Sequence, residues 1–480
     1  MRPAAFLMFW LSSFAVFAQD YIQKSYSIKT DKNIEYGKVE DFAGNVRSLT
    51  LDVSYPTNDS VESCGRPLIL IVHGGGFVAG SKDDGSIVRM REDFAKRGYV
   101  AVAPNYRLGM FQTNRRINCN ASSASTPWNC LNMLDTAEWY RAWFRGVQDA
   151  HGAIRFVINN RNSYRIDANN VFVAGQSAGA FVALGVGLLD DDSEVETSQS
   201  GKLADAPPPN ALYENECIKA GGFDTSIASM RLTRLDLGSY LGTLNPPIKD
   251  NLYTIRGIGD IYGGIPNDIT EVHRSVEPVL YMFHQPNDLI VPFTQNRVYA
   301  GYYGCAMQFP FNCGSIINRM FVYGSNGIDI LIDSLNAQGK SAPKVQFEKT
   351  SNTANCAQQI ANPSLAGHSV DNFDLRTKNM ATLFADAIDS CASSFVAKHD
   401  DVNVRLFPNP TDPTTGFSIH TPHGPEQIVV FDLMGRVVPI EMQPTENYVS
   451  CTFKHDLIRG TYMVVLDFGS SRVHKRLVVN

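Results

Sequence analysis

The stretch VFVAGQSAGAFVAL, residues 171–184, decides the fold of the first part of this chain. Its first four residues are apolar and predict a buried strand, GQSAG predicts a sharp turn, and the apolar residues from Phe181 onward predict a helix. Ser177 lies at the tip of the turn, where its backbone is strained and its hydroxyl points out of the fold. Larger side chains at Gly175 and Gly179 would collide. This context indicates a nucleophilic serine at position 177.

A second glycine-rich segment also follows a buried strand. Residues 68–72, LILIV, run directly into HGGGF, residues 73–77. Three successive glycines lose much conformational entropy on folding and contribute no side-chain packing. A flexible turn is one explanation. The other is that backbone N–H groups converge here on the oxyanion of an acyl-transfer intermediate, and we predict the donors to be Gly75, Gly76 and Ala178.

The predicted catalytic acid lies in a loop after a further buried strand. Residues 278–283, PVLYMF, form that strand, and Asp288 follows in the loop HQPNDLIVP. A strand-end loop is a suitable place to present a carboxylate. Asp260, which follows the strand-like segment 253–258, is the competing candidate.

The predicted catalytic base is His368, in a polar loop ahead of a helix expected at residues 379–390. In enzymes whose nucleophilic serine lies on a strand–turn–helix segment of this kind, the base comes last in the chain, after the nucleophile and the acid. His399 lies further along, in a predicted linker. His73, at the end of a strand, is therefore interpreted as an orienting or structural histidine.

Together these segments resemble the α/β-hydrolase superfamily, and within it the carboxylesterase and lipase branch with an HGGG oxyanion loop. The resemblance covers residues 32–394, and the run NYRLG at 105–109 looks like the one in type-B carboxylesterases. The chain departs from those enzymes at Gln176, where they usually carry an acidic residue. A general HGGG esterase therefore fits best. The resemblance implies an α/β fold with a mostly parallel central sheet flanked by helices, and no cofactor.

The expected activity is the hydrolysis of carboxylic esters through an acyl-enzyme. Short-acyl or aryl esters are the expected substrates, including acetyl or feruloyl groups of polysaccharides, or polyesters. One alternative is a prolyl-oligopeptidase-like serine peptidase, which normally carries a large propeller domain ahead of the hydrolase domain. The other is a non-catalytic adhesion protein on the same fold, which typically lacks a triad residue, whereas all three candidates are present here.

The N-terminal residues 1–18 predict a secretory signal peptide. Arg2 precedes an apolar core, and Ala-Val-Phe-Ala precedes Gln19. A membrane anchor is the alternative, but the apolar stretch is short for a bilayer span. We therefore expect a protein exported through the periplasm and secreted or held at the cell surface.

The remaining chain predicts two domains. Residues 19–395 form the catalytic domain, with a lid-like insertion at about 190–250, and a linker at 396–404 leads to a small all-β sandwich at 405–480. The segments PNPT, DLMGR and RGTY of this sandwich resemble the C-terminal sorting domain of the type IX secretion system. The resemblance implies the type IX machinery as a partner. A carbohydrate-binding sandwich is the alternative.

The composition excludes some functions. A net charge of −6 without a basic run argues against nucleic acid as a partner. The absence of a C-x-x-C motif and of a histidine-rich cluster argues against a zinc site, so no metal is expected. Nine cysteines suit an exported protein, and Cys451 is expected to be unpaired. The candidate disulfide pairs are Cys119 with Cys130, Cys305 with Cys313, and Cys356 with Cys391.

Overall fold

The computed structural model describes residues 21–42, 44–58, 65–110, 136–194, 237–248, 252–266, 276–301, 319–389, 405–414, 416–420, 425, 427–432, 436–445, 448–455, 457–467 and 472–480. The chain divides into two compact units, Met1–Asp389 and Ser390–Asn480. The predicted signal peptide, the linker and most of the predicted lid lie outside the described residues.

The first unit alternates strands and helices. Its described strands are β1 (Ile28–Glu40), β2 (Val46–Pro56), β3 (Arg66–Val72), β4 (Val100–Pro104), β5 (Ile166–Gln176), β6 (Ile255–Ile261), β7 (Gly264–Ile265), β8 (Val279–His284), β9 (Gln295–Arg297), β10 (Phe321–Gly324) and β11 (Lys344–Lys349). Its described helices are α1 (Gly85–Lys96), α2 (Thr136–Asn159), α3 (Arg161–Tyr164), α4 (Ala178–Leu188), α5 (Ser325–Ala337), α6 (Cys356–Ala361) and α7 (Phe373–Ala387). Among the described residues, no helix combines the length and the apolar character needed to cross a membrane.

One mixed sheet organises this unit. Within the described residues its strand order is β1-β2-β4-β3-β5-β6-β8-β11, and a smaller sheet has the order β7-β10-β9. Strand β2 runs antiparallel to both of its neighbours, whereas all pairings from β4 to β11 are parallel. This mostly parallel sheet with flanking helices is the α/β-hydrolase fold that the sequence resemblance implied.

The two faces of the sheet are both covered. Leu68 and Leu70 of β3 belong to a buried cluster with residues of α2 and α4, while Ile69 and Ile71 belong to a second cluster with residues of α1 and α7. Every residue of β3 is buried. A parallel strand covered on both faces needs apolar residues at successive positions, which explains the continuous run LILIV.

The helix expected at residues 379–390 begins earlier than predicted. In the structure α7 spans Phe373–Ala387, and the side chain of Asn372 accepts a hydrogen bond from the Leu375 N–H at 3.1 Å. This cap satisfies a backbone donor at the start of the helix. The start predicted from sequence is wrong because the first turn of α7 contains polar residues, which resemble those of the preceding loop.

The second unit is all-β. Its described strands are β12 (Arg405–Phe407), β13 (Phe417–His420), β14 (Gln427–Phe431), β15 (Val437–Val438), β16 (Ile440–Pro444), β17 (Val449–Phe453), β18 (Gly460–Asp467) and β19 (Arg472–Val479). They form two antiparallel sheets, β12-β13-β17-β16 and β15-β14-β18-β19, around a shared apolar core. Cys451 is free and buried in this core, as expected from sequence.

The predicted disulfide pairs remain predictions. Cys356 begins α6 and is disulfide-bonded. The other five candidate cysteines, at positions 119, 130, 305, 313 and 391, lie outside the described residues.

Candidate active site

Ser177 occupies a strained turn between β5 and α4. Its backbone has φ 52° and ψ −125°, a conformation that L-residues rarely adopt. A methyl group on Gly175 would lie 2.2 Å from the backbone of Gly179, so a larger residue cannot replace it without moving the turn. This geometry agrees with the sharp turn expected from sequence.

The structure brings Ser177, His368 and Asp288 into one hydrogen-bonded chain. His368 Nε2 lies 2.8 Å from Ser177 Oγ, and His368 Nδ1 lies 2.7 Å from Asp288 Oδ2. The His368 side chain is 17% exposed and that of Asp288 is fully buried. A serine in contact with an imidazole, itself oriented by a carboxylate, has the arrangement of an activated nucleophile.

Backbone groups fix the Asp288 carboxylate. Its Oδ1 accepts hydrogen bonds from the N–H groups of Ile290 at 2.8 Å and Val291 at 3.1 Å. Burial by itself raises the pKa of Asp288, but the neighbouring His368 and the hydrogen bonds from His284 and His368 outweigh it and hold the pKa at about 2. The carboxylate is therefore ionised at neutral pH.

The HGGG loop lies directly against the serine. A methyl group on Gly74 would come within 3.2 Å of Ser177 Cβ. Gly75 and Gly76 have φ values of 108° and 61°, in the region that favours glycine. Among the described residues, no backbone acceptor takes the N–H groups of Gly75, Gly76 or Ala178. Unused donors beside a reactive hydroxyl are what oxyanion stabilisation requires.

His73, the first residue of this loop, is held in place by contacts with Tyr106. Its ring stacks on Tyr106 with 4.5 Å between ring centroids, and the Tyr106 hydroxyl donates to the His73 carbonyl oxygen at 3.1 Å. Burial lowers the pKa of His73 to about 4, so its ring is neutral at pH 7. Arg107, the next residue, pairs with Asp149 of α2 at 2.8 Å. These contacts support the interpretation of His73 as structural, and they give the NYRLG run a role in holding the loop.

A cavity of about 290 Å³ opens beside Ser177 and His368. Its lining includes five aromatic residues, Phe77, Trp139, Phe181, Tyr262 and Tyr299, together with aliphatic and polar residues. Two tryptophans near the start of α2 have different surroundings. Trp143 packs in the core, where its indole N–H donates to the Phe181 carbonyl at 3.0 Å, but Trp139 is buried and also lines the cavity.

Asp260, the competing candidate for the catalytic acid, contacts a different residue. It is fully buried in β6, where its Oδ2 lies 2.7 Å from Ser325 Oγ. The carboxylate in contact with His368 is that of Asp288. No motif in the sequence marks His284 or Ser325, although His284 directly follows the predicted strand and lies only four positions before Asp288. His284 Nε2 lies 3.2 Å from Asp288 Oδ2.

Family models match three segments of the chain. The Carboxylesterase family model matches residues 22–112, the BD-FAE model matches residues 138–209, and the Secretion system C-terminal sorting domain model matches residues 405–480. The esterase and sorting-domain resemblances drawn from sequence are confirmed.

Curated relatives match over shorter stretches. Esterase cest-33 of Caenorhabditis elegans is 30% identical over 132 residues, which cover 27% of this chain and 20% of the relative. Carboxylesterase 3 of Pongo abelii is 26% identical over 169 residues, which cover 35% of this chain and 25% of the relative. The chain thus aligns with a fifth to a quarter of the length of these relatives.

Solved structures of esterases also show similarity. Thermogutta terrifontis esterase 2 phosphoramylated by tabun has 17% sequence identity and a TM-score of 0.34, and the match covers 74% of this chain and 94% of that one. An inhibited esterase B from Lactobacillus rhamnosis has 12% identity and a TM-score of 0.34, with 75% and 87% covered.

Proposed function

We propose that this chain, an α/β-hydrolase of the carboxylesterase type with a secretion system C-terminal sorting domain, is an exported serine esterase. The observation that carries the proposal is the hydrogen-bonded chain from Ser177 Oγ through His368 to Asp288, with distances of 2.8 and 2.7 Å. It lies against a glycine loop with unused N–H donors and opens into a cavity. The residues that we propose as nucleophile, base, acid and oxyanion donors thus lie close together.

In the proposed mechanism Ser177 Oγ attacks the ester carbonyl carbon while its proton passes to His368 Nε2. The ionised Asp288 holds the His368 ring in the tautomer that accepts this proton and stabilises the imidazolium that forms. His368 then protonates the leaving alcohol, and water attacks the acyl-enzyme by the reverse sequence. The negative oxygen of each tetrahedral intermediate accepts hydrogen bonds from the N–H groups of Gly75, Gly76 and Ala178.

The cavity supports small or aromatic acyl groups as substrates. Its volume of about 290 Å³ is at the low end for ligand pockets, which are roughly 300–1,000 Å³. Such a space suits a short acyl chain or one aromatic ring more than a long fatty chain. The aromatic residues among its lining can pack on the faces and edges of a planar acyl group. Acetyl and feruloyl esters are therefore the substrates to test first.

The C-terminal sorting domain indicates export, with a final location outside the cell or at its surface. We propose the type IX secretion machinery as the partner that recognises residues 405–480, and a signal peptide at residues 1–18 as the first export signal. A substrate carried on an extracellular polymer fits this location.

The substitution Ser177→Ala tests the proposed function. The variant should lose about a million-fold in kcat on p-nitrophenyl acetate and on methyl ferulate, because the triad acts as a unit. The matched control is Ser86→Ala. The Ser86 hydroxyl lines the same cavity and donates a hydrogen bond to Gln176 Oε1 at 2.7 Å. This control should keep activity within about tenfold, since a neutral hydrogen bond contributes about 1 kcal/mol.

Three results would contradict the proposal. More than a few per cent of activity in the Ser177→Ala variant would exclude Ser177 as the nucleophile. Faster turnover of peptide than of ester substrates would favour a serine peptidase. A wild-type chain that neither hydrolyses esters nor is labelled at Ser177 by an organophosphonate, as read by mass spectrometry, would favour a non-catalytic protein.

A further inference from the structure

The hydrogen-bonded chain does not stop at Asp288. Beyond this residue, His284 Nε2 lies 3.2 Å from Asp288 Oδ2, and His284 Nδ1 lies 2.9 Å from Ser325 Oγ. Ser325 Oγ in turn lies 2.7 Å from Asp260 Oδ2. The triad thus continues for three residues into the interior, through the end of β8, the start of α5 and the strand β6.

These three residues are buried and firmly placed. His284, Ser325 and Asp260 are each 0% exposed. The Gly263 N–H donates to Asp260 Oδ1 at 2.7 Å. Residue 324, before Ser325, must be glycine, because a methyl group there would lie 1.7 Å from the Pro292 carbonyl oxygen. Polar groups withdrawn from water are stable when each is paired, and here each one pairs with the next.

The hydroxyl of Ser325 has one proton, which restricts the protonation states of its neighbours. If Ser325 Oγ donates to an ionised Asp260, its lone pairs can accept a hydrogen bond from a protonated His284 Nδ1, and His284 is then positively charged. With a neutral Nδ1, the Ser325 backbone N–H is the donor to this nitrogen, at 3.4 Å. If Asp260 is protonated it donates to Ser325, which donates to His284 Nδ1, and His284 is neutral. Both arrangements hold the same number of protons. In the two arrangements that use the Ser325 hydroxyl on both sides, one proton is shared between His284 and Asp260 through Ser325.

We propose that His284, Ser325 and Asp260 are positioning residues that form a buried proton-sharing relay and keep Asp288 ionised and correctly oriented toward His368. The inference rests on the proposed esterase function. In either arrangement His284 Nε2–H donates to Asp288 Oδ2, the same oxygen that His368 contacts. The shared proton places partial positive charge next to Asp288. This charge weakens the electrostatic stabilisation that Asp288 gives to a proton on His368.

The surroundings agree with this assignment. Burial raises the pKa of Asp260, more than its hydrogen bond with Ser325 and the nearby His284 lower it. Among the described residues, the other titratable groups that face Asp288 are His368 and Tyr262, whose ring centroids lie 4.6 Å apart. Burial raises the pKa of Tyr262 far above neutrality, so its hydroxyl stays uncharged. Within the described part of the chain, the relay is thus the group of residues, besides His368, that can change the charge next to Asp288.

The pH profile of kcat/KM distinguishes a relay from mere packing. Removal of the His284 donor concentrates negative charge on the oxygen that faces His368. A proton is then held more strongly on His368, and the acid limb of the profile moves to higher pH. Substrate contacts are unaffected, so kcat should change more than KM.

The test uses the full-length enzyme with His284→Phe and His284→Gln. We expect His284→Phe to lower kcat about tenfold or more with KM within about threefold, and to move the acid limb upward by about half a pH unit or more. His284→Gln, whose amide can donate to Asp288, should restore most of both. The matched control is His151→Phe, since His151 is a buried histidine on α2 that pairs with the Tyr253 hydroxyl at 2.7 Å. It should leave the acid limb in place.

Ser325→Ala and Asp260→Asn are milder variants, which decide the matter if His284→Phe does not fold. Each ends proton sharing, so each should move the acid limb in the same direction by a smaller amount. A wild-type acid limb in both variants would overturn the relay, as would a His284→Gln variant no better than His284→Phe. If Ser177→Ala is inactive while the relay variants keep the acid limb of the wild-type kcat/KM profile, the relay proposal is wrong and the proposed function stands. If Ser177→Ala is active, the proposed function fails.

Discussion

Gly179 and Val72 approach so closely that a methyl group on Gly179 would lie 2.1 Å from the Val72 carbonyl oxygen. The contact joins the first turn of α4 to the end of β3. It therefore places the serine at the start of α4 beside the glycine loop that follows β3. Both partners are backbone atoms, so neither can move aside without shifting an element.

From this contact we predict that Gly179→Ala destabilises the first unit by about 3 kcal/mol, because overpacking against fixed backbone forces the elements apart. Esterase activity should fall together with the stability of this unit. The matched control is Gly85→Ala in the first turn of α1, where a methyl group meets nothing within 4 Å. That control should change stability by less than about 1 kcal/mol. Urea unfolding measures both, and equal stability of the two variants would contradict the prediction.

The buried His73 predicts a loss of stability at moderately acidic pH. Its pKa is lowered from 6.5 to about 4 by burial, so between these values the unfolded chain binds a proton that the folded chain does not. Stability therefore falls as the pH decreases from about 6.5 to about 4, by about 3 kcal/mol in total. His73→Phe keeps a ring on Tyr106 and removes the titration. Its free energy of unfolding should depend less on pH in this window, and parallel curves for variant and wild type would exclude the prediction.

Trp139 should limit the length of the acyl group. It lines the cavity and meets Phe77 edge to face, with 6.5 Å between ring centroids. Wild type should favour acyl groups of about two to four carbons, because further methylenes gain about 0.8 kcal/mol each only where an apolar space receives them. Trp139→Ala creates that space, and the ratio of kcat/KM for p-nitrophenyl octanoate over acetate should rise about tenfold. Trp143→Phe, in the core, should leave the ratio unchanged. A wild-type maximum at eight carbons or beyond would instead indicate a lipase.

Deletion of residues 405–480 should separate export from catalysis. These residues match the sorting-domain model and lie in the second compact unit. The truncated chain should fail to reach the cell surface in the native host, as read by fractionation, while kcat on soluble esters stays within about twofold of the full-length value. A large loss of kcat would show that the second unit contributes to the active site.

Much of the first unit follows from local patterns in the sequence. The buried run at 68–72, the glycine loop after it, and the strand, turn and helix around Ser177 are each specified by neighbouring residues. A turn that excludes side chains demands glycine, and a strand covered on both faces demands an unbroken apolar run. Such requirements can be read from one short segment at a time.

The choice between Asp288 and Asp260, and the relay that joins them, depends on tertiary structure. Asp260 pairs with Met282 in the register between β6 and β8, and α5 brings Ser325 to the same place from far along the chain. Trp139 becomes a cavity wall only because α2 packs beside the glycine loop. The sequence by itself determined which local elements form and which residues they present, because those requirements are steric and short-range. The tertiary structure alone decided which side chains share a hydrogen bond, because strand register and helix packing set distances between residues far apart in the chain.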